Sequence, residues 1–153
     1  MSENSCSVNS RSFAGGLLYD YDALKVKFTG DEVLAVFTEA DSALHAAIKV
    51  RKKISDLLNP LDIGVGIGLN EGSLMEGIIG AENIRYYDVI GDTVNTGKRI
   101  EGNAGSNEIL ISDSVFDSIQ SEGFCFGKKR EILVKGKVEP LSVYPVLSKH
   151  VHD

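Results

Sequence analysis

The stretch from Tyr86 to Glu101, YYDVIGDTVNTGKRIE, constrains the fold more than any other part of the chain. Its first half is rich in aromatic and β-branched residues, which favour a β-strand. A Gly-Asp turn follows, and either Asp92 or Thr93 is a suitable N-cap for a helix. On that helix Asn95 and Arg99 lie four residues apart, so both side chains project from one face.

Asp88 lies on the predicted strand just before the turn. A carboxylate, an amide and a guanidinium group therefore converge on one edge of a sheet, which suits a polar, phosphorylated ligand. The alternative is a surface strand-turn-helix whose charges only keep the protein soluble, since exposed charges are common. Other segments must decide between these interpretations.

Composition limits the classes of partner. The chain has 153 residues, 42% of them hydrophobic, which predicts one globular domain with a substantial core. A net charge of −6 argues against a nucleic-acid-binding or anionic-membrane surface. No apolar run approaches the roughly 20 residues of a membrane span, so we expect no membrane segment. The two cysteines, Cys6 and Cys125, lack metal-ligand spacing and indicate a reduced, cytoplasmic protein.

The predicted domain boundaries follow the apolar pattern. Residues 1–12, MSENSCSVNSRS, lack the apolar core of a signal peptide, and we predict a disordered leader there. Residues 13–148 form the predicted domain, and residues 149–153 a frayed tail.

A hairpin and a helix are predicted early in this domain. LKVKF-TGD-EVLAVF reads as a β-hairpin with Asp31 at its tip, and Lys25 and Lys27 share one face of its first strand. Thr38 is the predicted N-cap of the following helix, with Asp41 in a capping-box position, and Asn59-Pro60 ends it.

The next segment, LDIGVGIGLNEG, alternates apolar residues with glycines and predicts a strand. Its spacing is not that of a dinucleotide fingerprint, and no helix begins there, so we reject that interpretation. The glycines instead predict close packing of another element on one face of the sheet. Together with two strands around a KGK turn near the end, the pattern indicates an α+β fold with a mainly antiparallel sheet and helices on one face.

Three segments also resemble one family. KVKFTGDEVLAVF, GVGIGLNEGSLMEGIIGAENIRYYDVIGDTVNTGKRIE and LVKGKVEPLSVYPV are similar, in this order, to the catalytic domain of class III adenylate/guanylate cyclases. The resemblance runs from about Leu24 to Val146. It implies a ferredoxin-like core, a homodimer with active sites at the interface, and conversion of ATP to cyclic AMP and pyrophosphate. The implied cofactor is Mg²⁺ or Mn²⁺, which suits carboxylate and phosphate oxygens.

The resemblance also implies the substrate-binding residues. Lys27 and Asp88 match the pair that reads adenine, and Lys135 matches a lysine that binds the polyphosphate. Adenine presents an acceptor nitrogen beside a donor amino group, which a lysine and a carboxylate complement. The sequence therefore favours ATP over GTP.

The remaining matches concern the reaction itself. Asn95 and Arg99 match residues that orient the ribose and stabilise the reacting phosphate, and Asp31 matches one of two metal-binding aspartates. A fixed guanidinium can stabilise the charge that grows on phosphoryl oxygens.

One part of the family pattern is missing from the sequence. The family's first strand, which carries the other metal-binding aspartate, and the helix after it have no counterpart in residues 1–22, where Asp20 and Asp22 are weak substitutes. We expect Leu17 to Tyr21, or a strand from a second chain, to fill the central gap in the sheet. The alternative function is a catalytically silent cyclase-like domain that binds nucleotide or a partner cyclase in a regulatory or assembly role.

Overall fold

The computed structural model describes the backbone of residues 3–8, 13–81 and 84–149, and the side chains of residues 16–75 and 91–147. The strands are β1 (Glu3–Val8), β2 (Lys25–Thr29), β3 (Glu32–Phe37), β4 (Ile67–Gly72), β5 (Met75–Ala81), β6 (Ile84–Ile90), β7 (Ile109–Ser112), β8 (Phe124–Phe126), β9 (Arg130–Ile132) and β10 (Leu141–Lys149). The helices are α1 (Phe13–Asp20), α2 (Ala40–Leu58), α3 (Asp92–Gly102) and α4 (Asp113–Ser118), with a 3₁₀ turn at Asn59–Leu61.

One large sheet forms the centre of the molecule. Its strand order is β2-β3-β1-β4-β7-β10-β8, with β9 also paired to β10. Strands β4 and β7 are parallel, whereas the other paired strands of this sheet are antiparallel. Strands β5 and β6 make a separate two-stranded hairpin. The predicted α+β class with a mainly antiparallel sheet is confirmed.

The helices lie on both faces of the sheet. Alternate residues of β3 divide between the faces: Ala35 and Phe37 join the core cluster that includes α2, whereas Val36 packs against Val94 of α3. A further cluster on the α3 side joins Ile100 to the sheet. The prediction of helices on one face is therefore wrong for α3. Strand β3 has apolar side chains on both faces, and each face is buried by a helix.

The central position of the sheet is filled by β1. This strand pairs antiparallel with β3 on one side and with β4 on the other. The predicted disordered leader is therefore wrong for Glu3–Val8, and residues 9–12 and 150–153 lie outside the described residues. Leu17 to Tyr21, proposed above for this position, lies instead in α1 and the turn after it. Two strands with unpaired backbone groups can order a segment that has little apolar pattern of its own.

Helix α2 starts later than predicted. Its N-cap is Glu39, without a side-chain cap, so the predicted capping box of Thr38 and Asp41 is wrong. Asp41 instead accepts hydrogen bonds from the backbone N–H groups of Gln120 and Ser121, each at 3.0 Å. Its carboxylate thus ties α2 to the loop after α4. Among the described helices, none is long and apolar enough to cross a bilayer.

Candidate active site

The start of α3 is fixed by backbone geometry. Gly91 has a φ of +148°, which favours glycine, and its carbonyl accepts a hydrogen bond from the Asn95 N–H at 3.2 Å. Gly91 is the N-cap, so the predicted cap at Asp92 or Thr93 is wrong. The Thr93 hydroxyl instead donates to the Ser73 carbonyl at 2.7 Å. This bond ties the start of α3 to the loop between β4 and β5.

The backbone of α3 rests directly on β4. A Cβ atom on Gly68 would lie 2.8 Å from the Gly97 carbonyl oxygen and closer still to the backbone nitrogen of Glu101. Such approaches leave no room for a side chain, which confirms the close packing predicted from the glycine-rich strand. Asn70, also on β4 and buried, donates to the Thr93 carbonyl at 3.0 Å. These contacts fix both the height and the register of α3 over the sheet.

Arg99 meets a loop from the end of the chain. The loop between β9 and β10 holds the VKGK motif, in which Gly136 has a φ of +88°. A Cβ atom on Gly136 would lie 3.9 Å from Nη1 of Arg99 and 4.0 Å from its Nη2. Lys135 precedes Gly136 and is exposed. The fold therefore brings together two segments that the sequence places far apart, and both carry cations.

An ion pair joins the same two segments. Lys137 Nζ lies 2.8 Å from the Asp92 carboxylate. The hydrogen bond and charge of Lys137 lower the pKa of Asp92, and the charge of Arg99 adds a smaller effect. Asp92, Asn95 and Arg99 follow the i, i+3, i+7 spacing, so they share one face of α3. No local sequence pattern indicates this pair, because its members are 45 residues apart.

The β2–β3 hairpin contributes the other predicted residues. Asp31 is exposed at the tip, beside Gly30 with a φ of +61°. Lys27 pairs with Leu34, which packs in the cluster beneath α3, so Lys27 lies on the α3 side of the sheet. Asp88 lies on β6 opposite Gly77, and its side chain is outside the described ones, so its predicted role stays a prediction.

Asp31 and Arg99 lie on different sides of α3. The strand order places the β2–β3 hairpin on one side of β4, on which α3 rests, and the loop against Arg99 on the other side. Burial raises the pKa of Glu101, and the charges of Glu32 and Asp31 raise it further, so Glu101 lies within reach of the charges at the hairpin tip. Arg99 precedes Glu101 by two residues, or about 200° around a helix. The two predicted site residues, Asp31 and Arg99, are therefore separated by α3 within one chain.

The described side chains do not complete a metal site. No group of three or more His, Cys, Asp or Glu side chains that could hold a metal ion occurs in this part of the chain. Asp31 remains a candidate for one carboxylate ligand.

The raised pKa of Glu101 gives a pH-dependent prediction. The folded state is favoured while the Glu101 carboxyl is protonated. This contribution is fully present below the pKa that Glu101 has in the unfolded chain, and it is lost as pH rises through the higher pKa of the folded chain. We therefore expect Glu101→Gln, which removes the charge but keeps the shape, to raise the melting temperature at pH 7. The gain should shrink towards pH 4, where both states are protonated. Melting curves without divalent ions measure this difference, and an equal gain at both pH values would contradict the assignment.

A family model matches most of the chain. The model of the adenylate and guanylate cyclase catalytic domain matches residues 12–148. The chain belongs to this family. Cyclases of this family generally use divalent metal ions.

Relatives of this domain include adenylate cyclases and guanylate cyclases. The aggregation-specific adenylate cyclase of Dictyostelium discoideum is 36% identical over 82% of this chain and 9% of its own length. The soluble guanylate cyclase subunit beta-2 of Rattus norvegicus is 28% identical over 76% of this chain and 18% of its own length. The chain thus spans less than a fifth of the length of either relative.

A solved cyclase structure matches the fold over nearly the full chain. The adenylyl cyclase CyaB from P. aeruginosa superposes with a TM-score of 0.85 at 22% identity, covering 97% of this chain and 95% of that one. This similarity establishes the cyclase fold.

Proposed function

We propose that this domain is an adenylate cyclase, which converts ATP to cyclic AMP and pyrophosphate. The observation that carries the proposal is the approach of the VKGK loop to the Arg99 guanidinium group. It gathers Arg99 and Lys135 next to the helix face that also holds Asn95. Three polar groups on two elements suit a ribose and a chain of phosphates.

The reaction forms one bond and breaks another at the same phosphorus atom. The ribose 3′-oxygen attacks the α-phosphorus and loses its proton to solvent, while the bond to the bridging oxygen breaks and pyrophosphate leaves with that oxygen and the electron pair. Negative charge grows on the phosphoryl oxygens, where the Arg99 guanidinium stabilises it. Asn95 orients the ribose, and Lys135 binds the polyphosphate that leaves.

The choice of ATP rests on Lys27 and Asp88. A lysine donates to the adenine ring nitrogen, and a carboxylate accepts from the adenine amino group. We expect Lys27→Glu to lower the ratio of kcat/KM for ATP to that for GTP by about tenfold, as loss of a hydrogen bond to a charged group does. Parallel assays with both nucleotides measure this ratio. An unchanged ratio would show that the base is recognised elsewhere.

The separation of Asp31 from Arg99 supports a homodimer, in which each chain would carry two half-sites, one with Asp31 and one with Arg99. Asp31 and Arg99 face different sides of α3, so a second chain in a symmetric pair can present its Asp31 to the Arg99 of the first. The cofactor in this proposal is Mg²⁺ or Mn²⁺. Asp31 would hold such an ion in part, and the ion would supply activation of the attacking oxygen and charge neutralisation on the leaving phosphates.

One observation favours the alternative of a catalytically silent domain. Near the hairpin tip, β1 contributes Val8, opposite Val33, whereas Glu3 lies at the far end of the strand opposite Gly72. Strand β1 thus brings no carboxylate to the tip as a second ligand beside Asp31. A silent domain would still bind ATP without turning it over.

Cyclic AMP production from ATP with Mn²⁺ tests the function, with Asp31→Ala as the control. Activity that disappears in the control supports the cyclase. ATP binding that depends on Lys27, without turnover, supports the silent domain. Neither binding nor turnover would leave the fold as the only similarity to cyclases.

A further inference from the structure

The loop that carries Lys135 is packed at its base and exposed beyond it. Residues 133–140 connect β9 to β10, and Leu133 is 84% exposed, while Val138 is fully exposed. Val134 is buried, and its carbonyl accepts the Lys137 N–H at 3.0 Å in a tight turn. This turn sets the local shape of the loop. Ile132 and Leu141, at the strand ends that flank the loop, pack in one cluster with Ile100 of α3, which places the base of the loop.

The contact between Lys137 and Asp92 holds the exposed part of the loop on α3. The pair spans 2.8 Å between the loop and the first turn of α3. Asp92 shares its helix face with Asn95 and Arg99, so a loop held at Asp92 lies along the face that carries the proposed site. Gly136, next to Lys137, then lies against the Arg99 guanidinium group.

We propose that Asp92 is a positioning residue, which holds the VKGK loop on α3 through Lys137 and thereby sets the distance between Lys135 and Arg99. This inference rests on the proposed function, since Lys135 and Arg99 must act on one substrate. Asp92 contacts no reacting atom in this role. Its carboxylate acts through the loop.

Asp92→Asn is expected to lower kcat about tenfold, because small misplacements of substrate-binding groups have large effects on rate. The melting temperature should change by about 2 °C or less, since exposed ion pairs contribute little to stability. Asp92→Glu keeps the charge and should restore most of the rate. The matched control is Asp113→Asn. Asp113 is also a carboxylate in the first turn of a helix, α4, and lies 3.7 Å from Lys129 Nζ, so its loss should leave kcat unchanged.

A double-mutant cycle distinguishes positioning from a local effect on the helix. If Asp92 acts through Lys137, Asp92→Asn combined with Lys137→Gln should be no slower than the slower single variant. Losses that multiply would overturn the proposal. So would a faster Asp92→Asn variant, because that result would mean that Asp92 restrains Lys137 from binding phosphate itself.

Amide hydrogen exchange tests the same contact without any activity. Residues 133–138 should exchange faster in Asp92→Asn than in the wild-type chain, and unchanged exchange would overturn the proposal. If the wild-type chain makes no cyclic nucleotide, the proposed function fails, while this measurement still decides whether Asp92 holds the loop.

Discussion

Arg99→Ala is expected to lower kcat by about two to three orders of magnitude, the usual cost of removing one group that stabilises transition-state charge. The guanidinium lies against the VKGK loop, on the same helix face as Asn95, where the phosphate chain of ATP is proposed to bind. Arg99→Lys should recover only part of the loss, because an ammonium group lacks the planar fork that binds two phosphate oxygens. Single-turnover assays with ATP measure the chemical step directly.

Arg51→Ala is the matched control for this prediction. Arg51 is also half-buried, but it donates to the carbonyls of Val146 and Leu147, at 2.8 and 3.1 Å, and so joins α2 to β10. Its loss should lower the melting temperature and leave kcat nearly unchanged. Equal effects of the two substitutions on kcat would indicate that Arg99 also serves only the fold.

Mixing two inactive variants tests whether the half-sites combine. Asp31→Ala and Arg99→Ala each damage both sites of a symmetric dimer. A mixed dimer contains one site with an intact Asp31 from one chain and an intact Arg99 from the other. We therefore expect activity to reappear on mixing. Its failure to reappear, with mixed dimers present, would place Asp31 and Arg99 of one chain in the same site.

The elements with strong local patterns could be predicted from the sequence. The strand-turn-helix around Gly91 is confirmed as β6 and α3, and the TGD hairpin is confirmed as β2 and β3. In both cases turn residues separate runs with clear strand or helix character, so nearby residues determine the structure. The close packing at the glycines of β4 was likewise predictable, since a missing side chain must leave space for a neighbour.

The features that were missed depend on distant partners. The segment ENSCSV has no apolar alternation, and its pairing comes from the open edges of β3 and β4 on either side. Asp41 does not cap its helix but accepts a hydrogen bond from a loop residue 79 positions away. Asp92 pairs with a lysine 45 positions away. Contacts between residues so far apart cannot be predicted from local sequence patterns. The proposed roles of Lys27, Asp31 and Lys135 depend on a substrate and a second chain, so they remain predictions.

Gly68→Ala is expected to lower the free energy of unfolding by about 1–3 kcal/mol, the usual cost of overpacking a core. The added methyl group would lie 2.8 Å from the Gly97 carbonyl oxygen, and its other near neighbours are backbone atoms of Glu101. A side chain could rotate away from such a contact, but helix backbone cannot. The whole of α3 must shift to make room. Urea unfolding measures the loss.

Gly66→Ala provides the control two residues earlier. Its added methyl group would meet the Ala104 side chain and carbonyl at 3.4 Å, which is ordinary packing distance, so stability should change little. Because α3 also carries Asn95 and Arg99, Gly68→Ala should lower kcat as well, even well below its unfolding midpoint. A Gly68→Ala variant as stable and active as Gly66→Ala would mean that α3 does not rest on β4, and that the position of Arg99 is set by the loops alone.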